Sequence, residues 1–288
     1  MGHTIVYIDN KRVDYRKASI SVFDYTIHCG IGLFESILTI DERLIFLEEH
    51  LDRMELGIKR LGLNNLKFSR STIRKTLKKA VGDHPGKVKK VKLLLTHGYF
   101  PLWPGSRPRS KAIIIVIDHK LEFRKQKLIV SPMIITTSDP LRGNKTLNFM
   151  TEWLSQNEAK KQGYDQGIII NQKNQIAETG SANLFMVKKG KLYTPALASG
   201  GLPGIIRAEI IRLLNANQIA CIEKILTPDD LTSADEIFTT SSFKLVWPVV
   251  QIKLSRHYYF KPGPISQALF LRLKTNFMTG RPEDSLSL

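Results

Sequence analysis

A mixed fold of the α+β type, arranged in two parts, is predicted by three features of this sequence. Strand-like apolar runs such as KVKLLLTHGYF and KAIIIVIDH alternate with segments of helical apolar period. A polar stretch, HKLEFRKQ, separates one set of strands from the next and is the candidate boundary between residues 1–119 and 120–288. At 288 residues with 42% apolar and 24% charged side chains, the chain can bury a core in one large domain or two modest ones.

In order, IVYIDNKRV reads as a hairpin turning at Asp9-Asn10, and IGLFESILTIDERLIFL as two strands around Asp41-Glu42. Leu47, Leu51, Met54, Leu56, Ile58 and Leu61 recur at near-helical spacing and predict a helix. KTLKKAVGDHPGKVKK carries the end of a second helix into a new strand, and the loop PLWPGSRPRS separates the two apolar strands that follow. KLIVSPMIIT opens the second part, and a helix is expected from about Leu147 to Lys161, ending at Gly163. QGIIIN, NQIAE and NLFMVKKGKLYTP are strands, the last folded at a Lys-Gly turn. LPGIIRAEIIRLLNAN is a helix entered through Pro203 and Gly204, and DEIFTTSSFKLVWPV a strand running into a polar turn. The final RPEDSLSL is expected to be a loose tail.

Composition excludes several classes. No run of about 18 apolar residues is present, so no membrane-spanning helix is expected. The beginning, MGHTIVYIDNKRVDY, lacks the basic-then-apolar layout of a secretory signal. Cys29 and Cys221 provide neither a disulfide framework nor a metal knuckle, which points to a reducing, cytoplasmic setting and no metal. The net charge of +17 invites a nucleic-acid reading. Its basic residues are spread along the chain without zinc spacing, an aromatic RNP-like strand or a basic arm, so a solvated surface attractive to anionic metabolites is the expectation.

Within QIAETGSANLF a single glutamate, Glu178, stands ahead of a turn of small residues. A buried carboxylate needs a positive partner, and the protonated ring nitrogen of a pyridine is one that would use it. Pyridoxal chemistry also needs a Schiff-base lysine and donors for a phosphate. LRGNKTLNFM offers Lys145 at the mouth of the expected helix, where desolvation and neighbouring cations favour a nucleophilic amine. The amides of Gly204, Ile205 and Ile206 open a helix and form an anion site, Thr239 to Ser242 supply hydroxyls, and Arg53 lies on the first helix.

The segments SVFDYTIHCGIGLFES, FLEEHLDRM, KTLN, QIAETGSANLF, LYTP, LPGIIR and ADEIFTTSS follow one another along nearly the whole chain. Their order and content resemble the class IV aminotransferases, the fold type IV pyridoxal-phosphate enzymes that include branched-chain and D-amino-acid aminotransferases and aminodeoxychorismate lyase. The resemblance implies a small α/β domain, a linker and a larger domain on a β-barrel core, usually as a homodimer, with pyridoxal 5′-phosphate as cofactor. It further implies that Lys145 forms the Schiff base and moves the proton between Cα and C4′, and that Glu178 holds the pyridinium nitrogen. Arg53, the backbone at Gly204, Ile205 and Ile206, and Ser242 would bind the phosphate. Phe34 and Glu35 belong to the strand that lines the substrate side in that family.

The sequence departs from the family pattern in three places. Gly30-Ile31-Gly32 lacks the acidic residue of a G-D-G run, Ile206 stands where threonine is frequent, and Met150 replaces a tyrosine common in branched-chain enzymes. Met150 and KTLN together favour the D-amino-acid aminotransferase or lyase branches. As substrate contacts the candidates are Phe34, His97, Tyr99, Arg107 and Arg109, the arginines being suited to grip a substrate carboxylate. Each has a plain alternative: Phe34 as core, His97 and Tyr99 as a strand end, Arg107 and Arg109 as loop charges, Arg53 as a surface cation. The functional expectation is transamination between an amino acid and a 2-oxo acid. Aminodeoxychorismate lyase chemistry stands second and a non-catalytic basic binding protein third.

Overall fold

Period-two alternation builds the first sheet of the computed structural model, which describes residues 3–63, 69–98, 109–281 and 283–286. Two compact units emerge, one of residues 1–120 with 144–149 and the other of residues 121–143 with 150–288.

The first unit contains β1 (Thr4–Ile8), β2 (Lys11–Val13), α1 (Tyr25–Cys29), β3 (Gly32–Ile40), β4 (Arg43–Leu44), α2 (Leu47–Arg60), α3 (Arg70–Gly82), β5 (Val88–Thr96) and β6 (Ala112–Asp118). Its antiparallel sheet has the order β2-β1-β6-β5-β3-β4. Leu33 and Ile37 of β3, Val91, Leu93 and Leu95 of β5, and Ile114 and Val116 of β6 share a buried cluster with Leu51 and Met54 of α2 and Leu77 of α3. Both helices therefore cover one face, and the intervening residues Phe34 and Ser36 belong to the other. Arg70 joins the two helices by reaching Glu48, Asp52 and Glu55 of α2.

The second unit contains β7 (Gln126–Ile135), α4 (Met150–Lys161), β8 (Gln166–Asn171), β9 (Ile176–Thr179), β10 (Asn183–Lys188), β11 (Lys191–Pro195), α5 (Ile205–Ala216), β12 (Cys221–Lys224), β13 (Glu236–Ser241), β14 (Leu245–Lys253), β15 (His257–Tyr259) and α6 (Pro264–Thr279). Eight strands run in the order β12-β11-β10-β13-β14-β7-β8-β9, with β15 paired to β14. The sheet is mixed, with parallel pairs at β11/β12, β14/β7 and β7/β8. It curls so that β9 comes back against β10 and β11. Leu128, Ile168, Ile176, Leu184, Ile237, Val249 and Ile252 fill the interior of this half-barrel.

Three local expectations are corrected. The helix expected from Leu147 starts at Met150, because the residues before it pair with β3. For the same reason the Lys145 segment belongs with the first unit and not with the larger domain. Within the expected tail, Glu283 and Asp284 are not loose: Arg212 pairs with Asp284, Arg272 with Glu283, and Asn217 and Asn276 donate to the carbonyls of Asp284 and Glu283. These contacts anchor residues 283–286 to α5 and α6. Among the described residues no helix is long and apolar enough to cross a membrane.

Candidate active site

Lys145 is held by its own main chain. Its carbonyl accepts from the Phe34 N–H at 2.9 Å, and the Leu147 N–H donates to the Gly32 carbonyl at 2.9 Å, so KTL lies along β3 as a short antiparallel bridge. Gly32 is needed for this approach, since a Cβ there would stand 2.5 Å from the Leu95 carbonyl oxygen and 2.6 Å from Leu147 Cδ1. Ile31, in the departure noted in the sequence, packs against the sheet core, and Gly30 caps α1 at φ +66°. The half-buried Lys145 projects Nζ to 4.3 Å from the centroid of the Phe34 ring. It is thus positioned by a strand pairing and not by a helix mouth.

Behind this strand is a buried ionic triad that the sequence did not disclose. Glu35 is 1% exposed; Arg53 donates to it through Nε at 2.8 Å and a terminal nitrogen at 2.7 Å, and His50 Nδ1 lies 2.6 Å from its Oε2. Burial pushes the Glu35 carboxyl up, but the charge and hydrogen bonds of Arg53, with those of His50, outweigh it and bring it down to about 2. An ionised Glu35 can only accept, which places the imidazole proton on Nδ1. Burial holds His50 below its ordinary value, with the charges of Arg53 and Lys145 acting in the same direction against the upward pull of Glu35. Glu35 thus faces α2 instead of lining a substrate side. Arg53 is a fixed cation and not a loose surface arginine.

A carboxyl with a depressed folded pKa adds stability above its unfolded value, and that stability is lost as pH falls through the folded one. Unfolding midpoints measured across pH should therefore drop between the ordinary 4.5 and about 2, and Glu35→Gln should flatten that drop. An unaltered pH profile in the variant would assign the acid sensitivity elsewhere.

In the second unit Glu178 is 8% exposed on β9. Arg142 donates to its Oε1 at 3.1 Å and to Glu152 at 2.8 Å, while its Nε donates to the Gly200 carbonyl at 3.1 Å. The Leu202 N–H donates to the other oxygen of Glu178 at 3.2 Å. A guanidinium and a backbone amide thus meet the two oxygens of a buried carboxylate. Arg142 and Glu152 were missed in the sequence, where LRGNK drew attention only to its lysine.

The start of α5 completes this half. Gly204 is its N-cap residue, no side chain caps it, and its first turn has no acid, so the leading amides and the helix dipole are available to an anion. Ile206 is 3% exposed, so its side chain is packed and only its amide can serve. Asn183 donates to the Leu202 carbonyl at 2.8 Å. Thr240 lies opposite Asn183 on β13, and its buried hydroxyl has no hydrogen-bond partner. An orphaned hydroxyl on the strand next to an uncapped helix start fits a phosphate oxygen. Thr239, by contrast, is engaged by Gln126, and Ser242 lies half-buried in the turn after β13.

A side chain at Gly204 would require a neighbour to move, because its Cβ would overlap Asn183 Oδ1. Gly204→Ala is expected to shift Asn183 or the start of α5 and to cost about 1–3 kcal/mol of stability, measured by denaturant titration. An unchanged midpoint would show that Asn183 can swing aside freely.

The substrate candidates are scattered. Phe34 is 8% exposed and packs edge-on against Phe149 with ring centroids 5.8 Å apart. His97 is half-buried against the Tyr25 ring, and Arg109 is exposed. Tyr99 and Arg107 lie outside the described residues. Met150, at the head of α4, is 59% exposed.

The first unit thus carries a strand-borne amine at Lys145, and the second a clamped carboxylate at Glu178 and an uncapped helix start near the orphaned hydroxyl of Thr240. The profile of the family described as amino-transferase class IV matches residues 32–252. The chain is 28% identical over 254 residues to a proposed branched-chain-amino-acid aminotransferase of Methanocaldococcus jannaschii, covering 86% of this chain and 87% of that one. It is 26% identical over 276 residues to the D-alanine aminotransferase of Listeria monocytogenes, covering 92% and 93%. The branched-chain aminotransferase of Thermoproteus uzoniensis, solved with norvaline, superposes at TM-score 0.87 with 22% identity over 96% of this chain and 95% of that one. A proposed 4-amino-4-deoxychorismate lyase of Legionella pneumophila superposes at 0.81 with 25% identity over 91% and 97%. The protein belongs to the class IV aminotransferase family, whose members use pyridoxal 5′-phosphate.

Proposed function

We propose that this enzyme transfers an amino group between an amino acid and a 2-oxo acid, with Lys145 as the catalytic residue. The observation that carries the reading is Glu178, a buried carboxylate that accepts from Arg142 and the Leu202 amide. Such a group is suited to hold a proton on a pyridine nitrogen, a need that a binding protein without chemistry would not have. When bound, the cofactor supplies an electron sink for charge developing at the substrate's α-carbon.

The chain's own residues do the rest. Lys145 Nζ takes the α-proton and returns it, and its attachment to β3 keeps the amine in one place between the two transfers. In the second unit the amides of Gly204, Ile205 and Ile206 and the hydroxyls of Thr240 and Ser242 would hold the phosphate, and in the first Arg53, oriented by Glu35 and His50, would serve it as a cation. Phe34 walls the amine on one side.

The test is a half-reaction: holoenzyme is mixed with D- and L-amino acids, and separately with aminodeoxychorismate, while the cofactor spectrum is followed. Conversion to the amine form by an amino acid supports transamination. Pyruvate released from aminodeoxychorismate without that form would replace it with the lyase reading.

A further inference from the structure

Asp24, just ahead of α1, is 1% exposed and gathers donors from three places in the first unit. Its Oδ1 accepts from the Thr26 N–H at 2.9 Å and from the Gly98 N–H at 3.1 Å, and its Oδ2 accepts from the Thr96 hydroxyl at 2.6 Å. Thr96 and Gly98 are 72 and 74 residues further along the chain, so this knot ties α1 to the end of β5. A buried carboxylate is costly to desolvate, and three converging donors offset that cost. The knot is closed by two further bonds: the Gly98 carbonyl accepts from the Tyr25 N–H at 2.9 Å, and the Thr96 hydroxyl accepts from the Lys111 N–H at 3.0 Å.

A second link runs from the knot towards Lys145. Thr26 donates its hydroxyl to the Ile31 carbonyl at 2.6 Å and accepts from the His97 N–H at 2.9 Å. Ile31 lies between Gly30 and Gly32, where the backbone is least restrained by its own side chains. The same stretch carries the lysine segment. The Gly32 carbonyl accepts from the Leu147 N–H, and Gly30 packs so closely on Asn148 that a Cβ there would stand 3.3 Å from the Asn148 Cα. Fixing Thr26 through Asp24, and Ile31 through Thr26, therefore fixes the edge along which residues 145–147 lie. A displacement of about 1 Å at a reacting group is enough to cost on the order of 10²-fold in rate.

We propose that Asp24, acting through Thr26, is a positioning residue for Lys145: it holds residues 30–32 in the path that lets residues 145–147 pair with β3. The kinetic consequence rests on the transaminase reading, whereas the structural consequence does not. In SVFDYTIHCG the aspartate reads only as a turn-former, because its partners lie some 70 residues away.

The test uses holoenzyme and two readouts, amide hydrogen exchange at Phe34 and Leu147 and the half-reaction with D- and L-amino acids. Asp24→Ala leaves two N–H groups and a hydroxyl without their acceptor. It should speed exchange at Phe34 and Leu147 about 10- to 100-fold relative to the amides of α2 and lower kcat by a similar factor, with KM little changed. Asp24→Asn keeps an oxygen for the two N–H groups and should restore most of both losses. Thr26→Val removes the hydroxyl link alone and should show the same pattern in weaker form, which keeps the proposal testable where Asp24→Ala does not fold. Ile73→Val, a core truncation in α3, should lower stability without changing kcat per folded molecule. Exchange at Phe34 and Leu147 no faster in the Asp24 and Thr26 variants than in Ile73→Val, or a wild-type kcat in the variants that exchange faster, would overturn the proposal. Faster exchange at those two amides in an enzyme converting no amino acid would uphold the positioning of the segment and reject the transaminase reading instead.

Discussion

Lys145→Ala is expected to lower the half-reaction rate by at least about 10⁴-fold, because both the covalent anchor and the proton carrier are lost. The fold should survive. Residues 145–147 are attached to β3 through main-chain bonds, Phe34 N–H to the Lys145 carbonyl and Leu147 N–H to the Gly32 carbonyl, and neither involves the lysine side chain. Removing a half-buried stem beside Phe34 opens little space. The variant should therefore unfold at nearly the wild-type denaturant concentration while losing the visible absorbance that borohydride abolishes in the wild type. A variant that kept that absorbance would show that another amine carries the cofactor.

Glu178→Gln is expected to slow proton removal from the substrate by roughly 10²-fold or more, the scale of one preorganised electrostatic group. The carboxylate acts on charge that grows towards the transition state, so the loss should fall on the chemical step more than on cofactor affinity. Structure adds a second consequence. Both Arg142 and the Leu202 N–H point donors at Glu178, and an amide offers one oxygen to two donors, so one of them is left facing an NH₂ group. Arg142 retains Glu152 and the Gly200 carbonyl, which should limit the stability loss to about 1–3 kcal/mol. Single-turnover kinetics at saturating cofactor separate the two effects. A wild-type rate in that experiment would reduce Glu178 to a turn-former ahead of Thr179-Gly180.

Much of the strand and helix pattern of both units was legible because its signals are local. The Asp9-Asn10 and Lys189-Gly190 turns, the alternation in β3 and β5 and the helical period of α2 are each contained within a few residues, and each appears where its pattern lies. α1 and α6 were not anticipated. α1 is a single turn defined by Asp24, whose carboxylate accepts from the Thr26 N–H and also from Thr96 and Gly98 far along the chain. The tail was misread because charge and polarity resemble disorder until partners on α5 and α6 are known.

By itself the sequence determined the family and singled out the candidates for its chemistry: a lysine in KTLN, a glutamate ahead of a small-residue turn and a glycine opening a helix are properties of short segments. Only the tertiary structure decided what each of them meets. Lys145 is aligned by β3 beside the Phe34 ring, Arg53 is locked by Glu35 across 18 residues, and Glu178 is clamped by Arg142 across 36. The physical reason lies in range. Backbone preference and apolar period act between near neighbours along the chain, whereas ion pairing and desolvation depend on distances that exist only once strands and helices have packed.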